Sequence, residues 1–305
     1  MKTKSPRAVI YLIVALGFLT GCQQSSTQNT TVEEFNIESV PALSLDGGKQ
    51  TSNLRIVAVG NGSAEILVSL GLGSQIVGRD IASEIELLKE IPIVTNGHDL
   101  DSEKILAVRP DILFIDSNSS PKSVANQVAN AGVQVVEISE SFSIQGIAKK
   151  VEQISSALAT QSRGQELIEK IANQIELIAQ SEENEKKEVV FLYLRGSNGI
   201  FLVGGPGSGA DSLIQAAGAI DLGVERYKNP FNPINSEAVA GLKPDYYLLM
   251  SAGLKSVGGL EKFRSLPGIN PIIPVITVND SLLLSFGPRT PALIQELYGI
   301  FYGKK

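Results

Sequence analysis

Short apolar segments alternate with amphipathic segments along most of the chain, and this alternation predicts its elements. LRIVAVG and QIVGRD have the composition of buried strands, and the segment between them places Ile66, Leu67 and Leu70 on one helix face. The same order recurs in the second half, where KKEVVFLYLRG and GIFLVGG are predicted strands and GADSLIQAAGA is a predicted helix. Repeated strand–helix–strand order predicts an α/β fold with mostly parallel, doubly wound sheets.

One helix–strand unit occurs twice. LDSEKILAVRPDILFI aligns with INSEAVAGLKPDYYLLM, and the alignment pairs Glu103 with Glu237. Each copy has a glutamate at the start of a short amphipathic helix, a Pro-Asp pair and then an apolar run. The residue before proline is disfavoured in a helix, so the helix is expected to end there. Two copies of one unit predict two similar lobes with a ligand cleft between them.

A helical run separates the two predicted lobes. Residues 143–184 contain no proline and only two glycines, and apolar residues recur three or four apart. This pattern predicts one long linking helix with a bend near Ser162-Arg163-Gly164. The predicted lobes are then residues 54–142 and residues 185–305.

The first 53 residues differ in character from the rest. A basic start and a short apolar run predict a signal peptide over residues 1–21. The small residues before Cys22 resemble a lipobox, which implies cleavage there and a lipid on the sulfur; the alternative is a signal peptide with an incidental cysteine. Residues 22–53 are rich in Ser, Thr, Gln and Asn and are predicted to be a flexible tether.

These features predict an extracytoplasmic protein anchored by lipid to the outer face of the cytoplasmic membrane, which is the periplasm in a Gram-negative cell. A formal net charge of −6 argues against a nucleic-acid partner. With one histidine no HExxH or paired-histidine zinc site is possible. The chain has no GxSxG elbow, and GGPGSGAD lacks the ending of a P-loop. We therefore expect a protein that is not an enzyme, and an extracellular metal-dependent hydrolase is the weaker alternative.

Four motifs carry a family resemblance: RIVAVGNGSAEILVSLGLGSQIVGRD, LDSEKILAVRPDIL, GPGSGADSLIQAAGA and SFGPRTPALIQEL. Together they resemble substrate-binding proteins of ABC importers, of the class whose two α/β lobes are joined by one long helix. Members of that class bind vitamin B12, ferric siderophores or haem. The resemblance spans Leu54–Gly303 and is greatest to haemin-binding lipoproteins of the HmuT type. It implies haem b as the transported ligand and an importer permease dimer as the partner, and we expect a monomer.

The resemblance also assigns roles to residues of the predicted cleft. It implies that His98, the only histidine, and Tyr193 are axial ligands of the haem iron. Tyr193 and Arg195 lie on one face of a strand, and ferric iron and a nearby guanidinium both favour a phenolate. Without the resemblance, His98 would be interpreted as a surface histidine and Tyr193 as an ordinary strand residue.

Three further residues are predicted to line a haem pocket. Met250 matches a pocket methionine of the family, Phe231 is placed to stack on a porphyrin, and Arg289 is placed to meet a propionate. For each of these residues, the alternative interpretation is an ordinary core or surface position.

The repeated glutamates match family positions that pair with permease arginines, so Glu103 and Glu237 are predicted to dock the permease. An acid at a helix start is also favourable against the helix dipole, and that alone would explain them. The alternative ligands for this fold are a ferric siderophore, which would want several arginines in the cleft, and a corrinoid.

Overall fold

The computed structural model describes residues 32–45, 53–139, 142–179, 185–196 and 200–303. The predicted signal peptide and Cys22 lie outside the described residues. The strands are β1 (Glu34–Ile37), β2 (Ile56–Ala58), β3 (Ile76–Arg79), β4 (Thr95–Asn96), β5 (Asp99–Leu100), β6 (Ile112–Asp116), β7 (Gln134–Ile138), β8 (Glu188–Arg195), β9 (Ile200–Gly204), β10 (Ile220–Asp221), β11 (Phe231–Ile234), β12 (Tyr246–Met250) and β13 (Val275–Val278).

The helices share one property, an apolar face turned to a sheet or to another helix. They are α1 (Ser63–Ser69), α2 (Ser102–Ala107), α3 (Lys122–Asn130), α4 (Ile144–Ala157), α5 (Gln161–Ala179), α6 (Ala210–Ala216), α7 (Leu222–Arg226), α8 (Ser236–Ala240), α9 (Ser251–Ser256), α10 (Leu260–Arg264), α11 (Asp280–Ser285) and α12 (Thr290–Tyr302). Short 3₁₀ turns cover Gly73–Gln75 and Glu86–Leu88. Within the described ranges, no helix is long and apolar enough to cross a bilayer.

Lobe one is built on a four-stranded parallel sheet in the order β3-β2-β6-β7. Lobe two has a larger sheet in the order β1-β13-β12-β8-β9-β11, with β10 added to β8. Its pairings are parallel except those of β9 with β8 and with β11. The predicted α/β class with mostly parallel sheets is confirmed. The central strands β2, β6, β12 and β13 are almost fully buried and mostly apolar, which is typical of strands in a parallel sheet covered on both faces.

The N-terminal segment corrects the tether prediction. Residues 34–37 form an edge strand parallel to β13, with Glu34 opposite Val275. Ile37 and Leu45 are buried, and Val40 packs against the core. An edge strand needs only one apolar face, so a few apolar residues in a polar stretch are enough. Residues 32–45 therefore belong to the fold, and the prediction of a tether over residues 22–53 is wrong for them.

The predicted linking helix is also corrected, because it is two helices. Helices α4 and α5 are separated at residues 158–160, where Ala159 has a φ of 52°. The break therefore precedes the bend that was predicted near Ser162. Across it the helices pack face to face, since a Cβ on Gly164 would lie 2.3 Å from the Ser155 hydroxyl. Helix α5 begins against lobe one, where Arg163 donates to the Leu70 carbonyl at 3.1 Å, and then packs against α6 and α12 of lobe two.

The Pro-Asp pairs of the repeat have a structural role at the amino edge of each sheet. Asp111 accepts from the backbone N–H of Arg55 at 2.7 Å, and Asp245 accepts from that of Glu188 at 2.8 Å. The residues before the prolines, Arg109 and Lys243, have φ of 47° and 50°. They leave the helix through the left-handed region rather than the extended one that the rule for residues before proline favours.

Asp221 is a buried acid at the end of β10, opposite Val189 near the start of β8. Its Oδ1 accepts from the backbone of Gly223 at 2.7 Å and of Val224 at 3.4 Å, which caps α7. Its Oδ2 is buried and has no hydrogen-bond partner among the described residues. Burial raises the pKa of this carboxyl to about 6, and the negative charge of Asp211 acts in the same direction.

We predict that Asp221 makes folding stability fall as pH rises from about 4 to about 6. The unfolded carboxyl loses its proton near its usual pKa of 3.8, whereas the folded one keeps it to about 6. The folded state binds more protons in this window, and the loss amounts to at most about 3 kcal/mol. Asp221→Asn keeps a capping oxygen and should remove this contribution. Urea unfolding from pH 4 to 7 measures it as the difference between wild type and variant; parallel pH profiles would contradict the prediction.

Candidate functional site

The carboxyl edges of the two sheets face each other. Strand β2 leads into the turn Gly60–Gly62 of lobe one, and β13 leads into α11 of lobe two. The two connections touch, because a Cβ on Gly62 would lie 2.4 Å from the Ser285 carbonyl oxygen. Asn279 of lobe two also donates to Glu84 of lobe one at 3.5 Å. Open α/β sheets bind ligands outside the carboxyl ends of their strands, so the candidate site lies at this junction.

Two carboxylates hold the glycine turn of lobe one. The Gly60 amide donates to Asp80 at 2.7 Å, and the Asn61 amide donates to Asp116 at 3.0 Å. Gly60 has a φ of 130°, and a Cβ there would lie 2.5 Å from the Asp116 carboxylate. Only glycine fits this approach. The turn is therefore fixed from two neighbouring strands.

A buried ion pair joins the lobes directly. Arg289, at the start of α12, donates from Nε to Glu65 Oε1 of α1 at 2.8 Å, and its Nη2 also contacts Glu65. The two side chains are only 8% and 4% exposed. The prediction that Arg289 meets a propionate is therefore wrong, because its guanidinium lies in the interior and is already paired.

Lys150 of α4 completes the contact between the lobes. The residue is 1% exposed, and its ammonium donates to the Asn61 carbonyl of lobe one at 3.2 Å and to the Ser285 carbonyl of lobe two at 2.6 Å. Sequence reasoning missed both Glu65 and Lys150. Glu65 lies in one of the four family motifs, but the resemblance assigned it no role, and Lys150 lies in none of them. Each lies beside apolar residues on an amphipathic helix, where a charge usually marks the solvated face.

Lobe two brings three of the predicted pocket residues together. Tyr193 is half-buried near the carboxyl end of β8, and its ring centroid lies 5.3 Å from that of Phe231. The Arg195 guanidinium lies 5.9 Å from the Tyr193 ring centroid. Phe231 is 41% exposed, which is unusual for an aromatic ring on a strand. We call Tyr193, Arg195 and Phe231 the aromatic cluster.

Met250 lies beside this cluster in the sheet. It ends β12, which pairs with β8 such that Leu249 is opposite Leu192. Alternation then puts Met250 and Tyr193 on the same face of neighbouring strands. Met250 is 7% exposed and belongs to the core against which Tyr193 packs.

His98 lies in lobe one, in the turn between β4 and β5. Ile93 bridges Arg79 in parallel, so the chain continues in strand direction past the end of β3 and carries the turn beyond the carboxyl edge. The turn residue Gly97 has a φ of 59°, and Leu100 donates to the Ser120 carbonyl at 2.7 Å. His98 is exposed, and within the described ranges no hydrogen bond joins it to the aromatic cluster.

The repeated glutamates occupy equivalent exposed positions. Glu103 and Glu237 each lie in the first turn of a short helix, two residues after a capping side chain. Asp101 caps the first helix by accepting from the amides of Glu103 and Lys104, and Asn235 caps the second by accepting from Ala238. The helix starts are thus capped by other residues, and the glutamate side chains point to solvent.

The glycine-rich loop before α6 is bonded within itself. Asp211 accepts from the amides of Gly207 at 2.8 Å and Gly209 at 2.9 Å. In a P-loop such amides bind phosphate. Here the Asp211 carboxylate, from the first turn of α6, already accepts from them, which agrees with the lack of a P-loop ending.

Comparisons with known proteins give one family. The model of the periplasmic binding protein family matches residues 56–272. The uncharacterized ABC transporter substrate-binding lipoprotein YvrC of Bacillus subtilis is 23% identical over 311 residues, or 95% of each chain. A vitamin B12-binding protein of Vibrio campbellii is 26% identical over 152 residues, 50% of this chain and 54% of its own. The crystal structure of the haem-binding protein HmuT has a TM-score of 0.78 and 26% identity, covering 90% of this chain and 98% of the other.

We predict that Arg289→Met destabilises the fold by about 3–5 kcal/mol, because the Glu65 carboxylate then stays buried without its partner. Glu65→Met combined with Arg289→Met should recover most of that loss, since both buried charges are gone. Urea unfolding measures both effects. Arg195→Met is the control and should change stability by less than about 1 kcal/mol, because Arg195 is exposed. Equal, small losses in the single and double variants would contradict an interior ion pair.

Proposed function

The chain belongs to the periplasmic binding protein family, and on that premise we propose that it captures haem between its lobes and delivers it to an ABC importer. Its relatives support the coarser statement, a substrate-binding protein of a transporter rather than an enzyme. The finer statement depends on one observation. The aromatic cluster places a half-buried tyrosine and a guanidinium near the carboxyl end of β8, beside an exposed ring of β11.

The chemistry of this cluster suits a ferric porphyrin. A phenolate oxygen is a strong ligand for ferric iron, and a cation close to it favours the charged form of the phenol. Phe231, with 41% of its surface exposed, offers an apolar face to the porphyrin ring. Met250 would line the wall beside the tyrosine. Tyr193 is then the ligand from lobe two.

His98 would supply the ligand from lobe one. The imidazole is exposed and lies beyond the carboxyl edge of its sheet, and neutral imidazole is a good ligand for iron. Solved alanine variants of HmuT, at 26–28% identity, replace a histidine, a tyrosine and an arginine two residues after that tyrosine. The spacing of Tyr193 and Arg195 is the same. This supports haem over the alternatives.

A corrinoid is the second candidate, and the similarity to vitamin B12-binding proteins favours it. A corrinoid already carries its cobalt ligands and does not need a phenolate from the protein. The two ligands therefore make different demands on Tyr193. Removing its oxygen separates them.

We predict that the purified protein binds ferric haem with a stable Soret band and a phenolate charge-transfer band. Tyr193→Phe keeps the ring packed against Phe231 and removes the oxygen, so the charge-transfer band should disappear. His98→Ala should shift the Soret band and speed haem transfer to apomyoglobin by at least about tenfold, the loss expected for one ligand or strong hydrogen bond. Absorption spectroscopy and stopped-flow transfer measure these effects.

Tyr227→Phe is the matched control, because Tyr227 is also half-buried in lobe two but packs in the cluster on the other sheet face. It should leave both the spectrum and the transfer rate unchanged. A charge-transfer band that survives in Tyr193→Phe would exclude Tyr193 as ligand. Binding of cyanocobalamin but not haemin would favour the corrinoid.

Delivery forms the second half of the proposal. Glu103 and Glu237 are exposed at equivalent helix starts that other residues cap, so capping does not explain the two glutamates. Docking to arginines of a two-fold permease would give each of them a role.

Changing both to Lys should leave haem binding intact and strongly reduce uptake in cells, because like charges then meet across the interface. Glu90→Lys with Glu261→Lys, one exposed acid from each lobe, is the control of equal charge. Normal uptake in the first pair, with expression matched, would exclude the docking role.

A further inference from the structure

A second cavity lies in lobe two, away from the aromatic cluster. It has a volume of about 510 Å³ and is lined by Ala240, Lys243, Pro244, Tyr247, Gly268, Ile269, Asn270 and Ile273. That volume is within the range of small-molecule sites. Tyr247 is the second residue of β12, whereas Met250 ends that strand at the cleft. The cavity therefore opens nearer the amino edge of the sheet than the haem site proposed above.

Two polar groups of this cavity, on Tyr247 and Lys243, can donate hydrogen bonds. Tyr247 is 1% exposed, and its hydroxyl oxygen accepts from the Asn270 amide at 3.2 Å. Within the described part of the chain, this hydroxyl donates no hydrogen bond of its own. Burial raises the pKa of this phenol above its usual value, so it remains a donor at neutral pH. Lys243 adds a cation at the exposed side, and it has no ion pair within the described ranges.

The internal repeat shows that this arrangement is particular to lobe two. Tyr247 corresponds to Leu113 of lobe one, which is apolar and fully buried. In lobe one the Arg55 guanidinium covers the equivalent turn by donating to the carbonyls of Val108 at 2.7 Å and Arg109 at 2.9 Å. Glu188 stands in the place of Arg55 in lobe two and has no such donor. The equivalent turn is therefore covered by an arginine in lobe one, whereas in lobe two it borders an open cavity with a buried hydroxyl.

The walls of the cavity are held in place. A Cβ on Gly268 would lie 2.2 Å from the Ser236 carbonyl oxygen, so this loop lies directly against the start of α8. The Asn270 side chain accepts from the Ile272 amide at 3.2 Å, which fixes the loop further. Pro244, Ile269 and Ile273 form an apolar surface between these contacts. A rigid apolar pocket with a buried donor and a cation at its mouth suits an anion that has an apolar body.

We propose that this cavity is a second ligand site, which binds a small carboxylic acid with an apolar body. The carboxylate accepts from the Tyr247 hydroxyl and pairs with Lys243, while the apolar walls cover the body of the ligand. The site is separate from the cleft and does not depend on the function proposed for it.

The probe is 4-fluorobenzoate, titrated into the purified protein and followed by fluorine NMR and calorimetry. Tyr247→Phe should weaken binding about tenfold, the effect of losing one hydrogen bond to a charged group. Lys243→Asn should weaken it about threefold and remove most of its salt dependence. Asparagine tolerates the left-handed backbone of this position, so the second variant tests the site even if Tyr247→Phe unfolds. Neutral 4-fluorobenzamide should bind more weakly than the carboxylate.

Tyr246→Phe is the matched control, because Tyr246 is the neighbouring residue on the opposite face of β12 and donates to the Ile300 carbonyl instead. It should leave the affinity for the probe unchanged. Haemin should not displace the probe, and Tyr247→Phe should bind haemin as the wild type does. Three results would each overturn the proposal. They are no saturable binding up to about 10 mM probe, wild-type affinity for the probe in both the Tyr247 and the Lys243 variant, and displacement of the probe by haemin.

Discussion

The buried pair of Glu65 and Arg289 is the contact on which the geometry of the cleft depends. It joins α1, which follows the glycine turn of lobe one, to the start of α12 in lobe two. Both charges are almost fully withdrawn from water, and Glu65 Oε2 has no hydrogen-bond partner among the described residues. Such a pair contributes little net stability compared with apolar residues of the same volume. It does fix position, since neither charge can move away from the other without an uncompensated buried ion.

Lys150 strengthens this constraint by binding one carbonyl from each lobe. The Asn61 and Ser285 carbonyls are both at the carboxyl edges, so a single ammonium holds the two edges at a fixed separation. The Gly62 backbone lies so close to Ser285 that no side chain fits between them. Three kinds of contact, an ion pair, an ammonium bridge and a backbone approach, thus coincide at one junction. The lobes meet there as a packed interior and not as two surfaces in loose contact.

Much of the fold was predictable because it depends on local patterns. The apolar runs after the repeated Pro-Asp pairs are strands β6 and β12, and the segments before them are helices α2 and α8. The sheet class follows from this order. What the patterns missed depends on partners distant in sequence. Phe35 and Ile37 look too sparse for a strand until β13 is beside them. Arg289 looks like an exposed arginine until Glu65, more than two hundred residues earlier, is seen to face it. The break at Ala159 has no glycine or proline to mark it.

The residues of the candidate site also divide into those that the local pattern places together and those whose position depends on distant partners. Tyr193 and Arg195 are two residues apart on one strand, so alternation alone places them together. Their proximity to Phe231 depends on the pairing of β9 with β8 and with β11, which the local pattern did not predict. His98 lies on a short exposed hairpin tied to the end of β3, whereas Tyr193 lies on the central part of a seven-stranded sheet. The two proposed ligands therefore differ in stiffness. A strand inside a sheet opens rarely, whereas an exposed turn has fewer buried contacts to hold it. Under the proposed function, the tyrosine on the sheet would therefore fix the position of the iron more strictly than the histidine would.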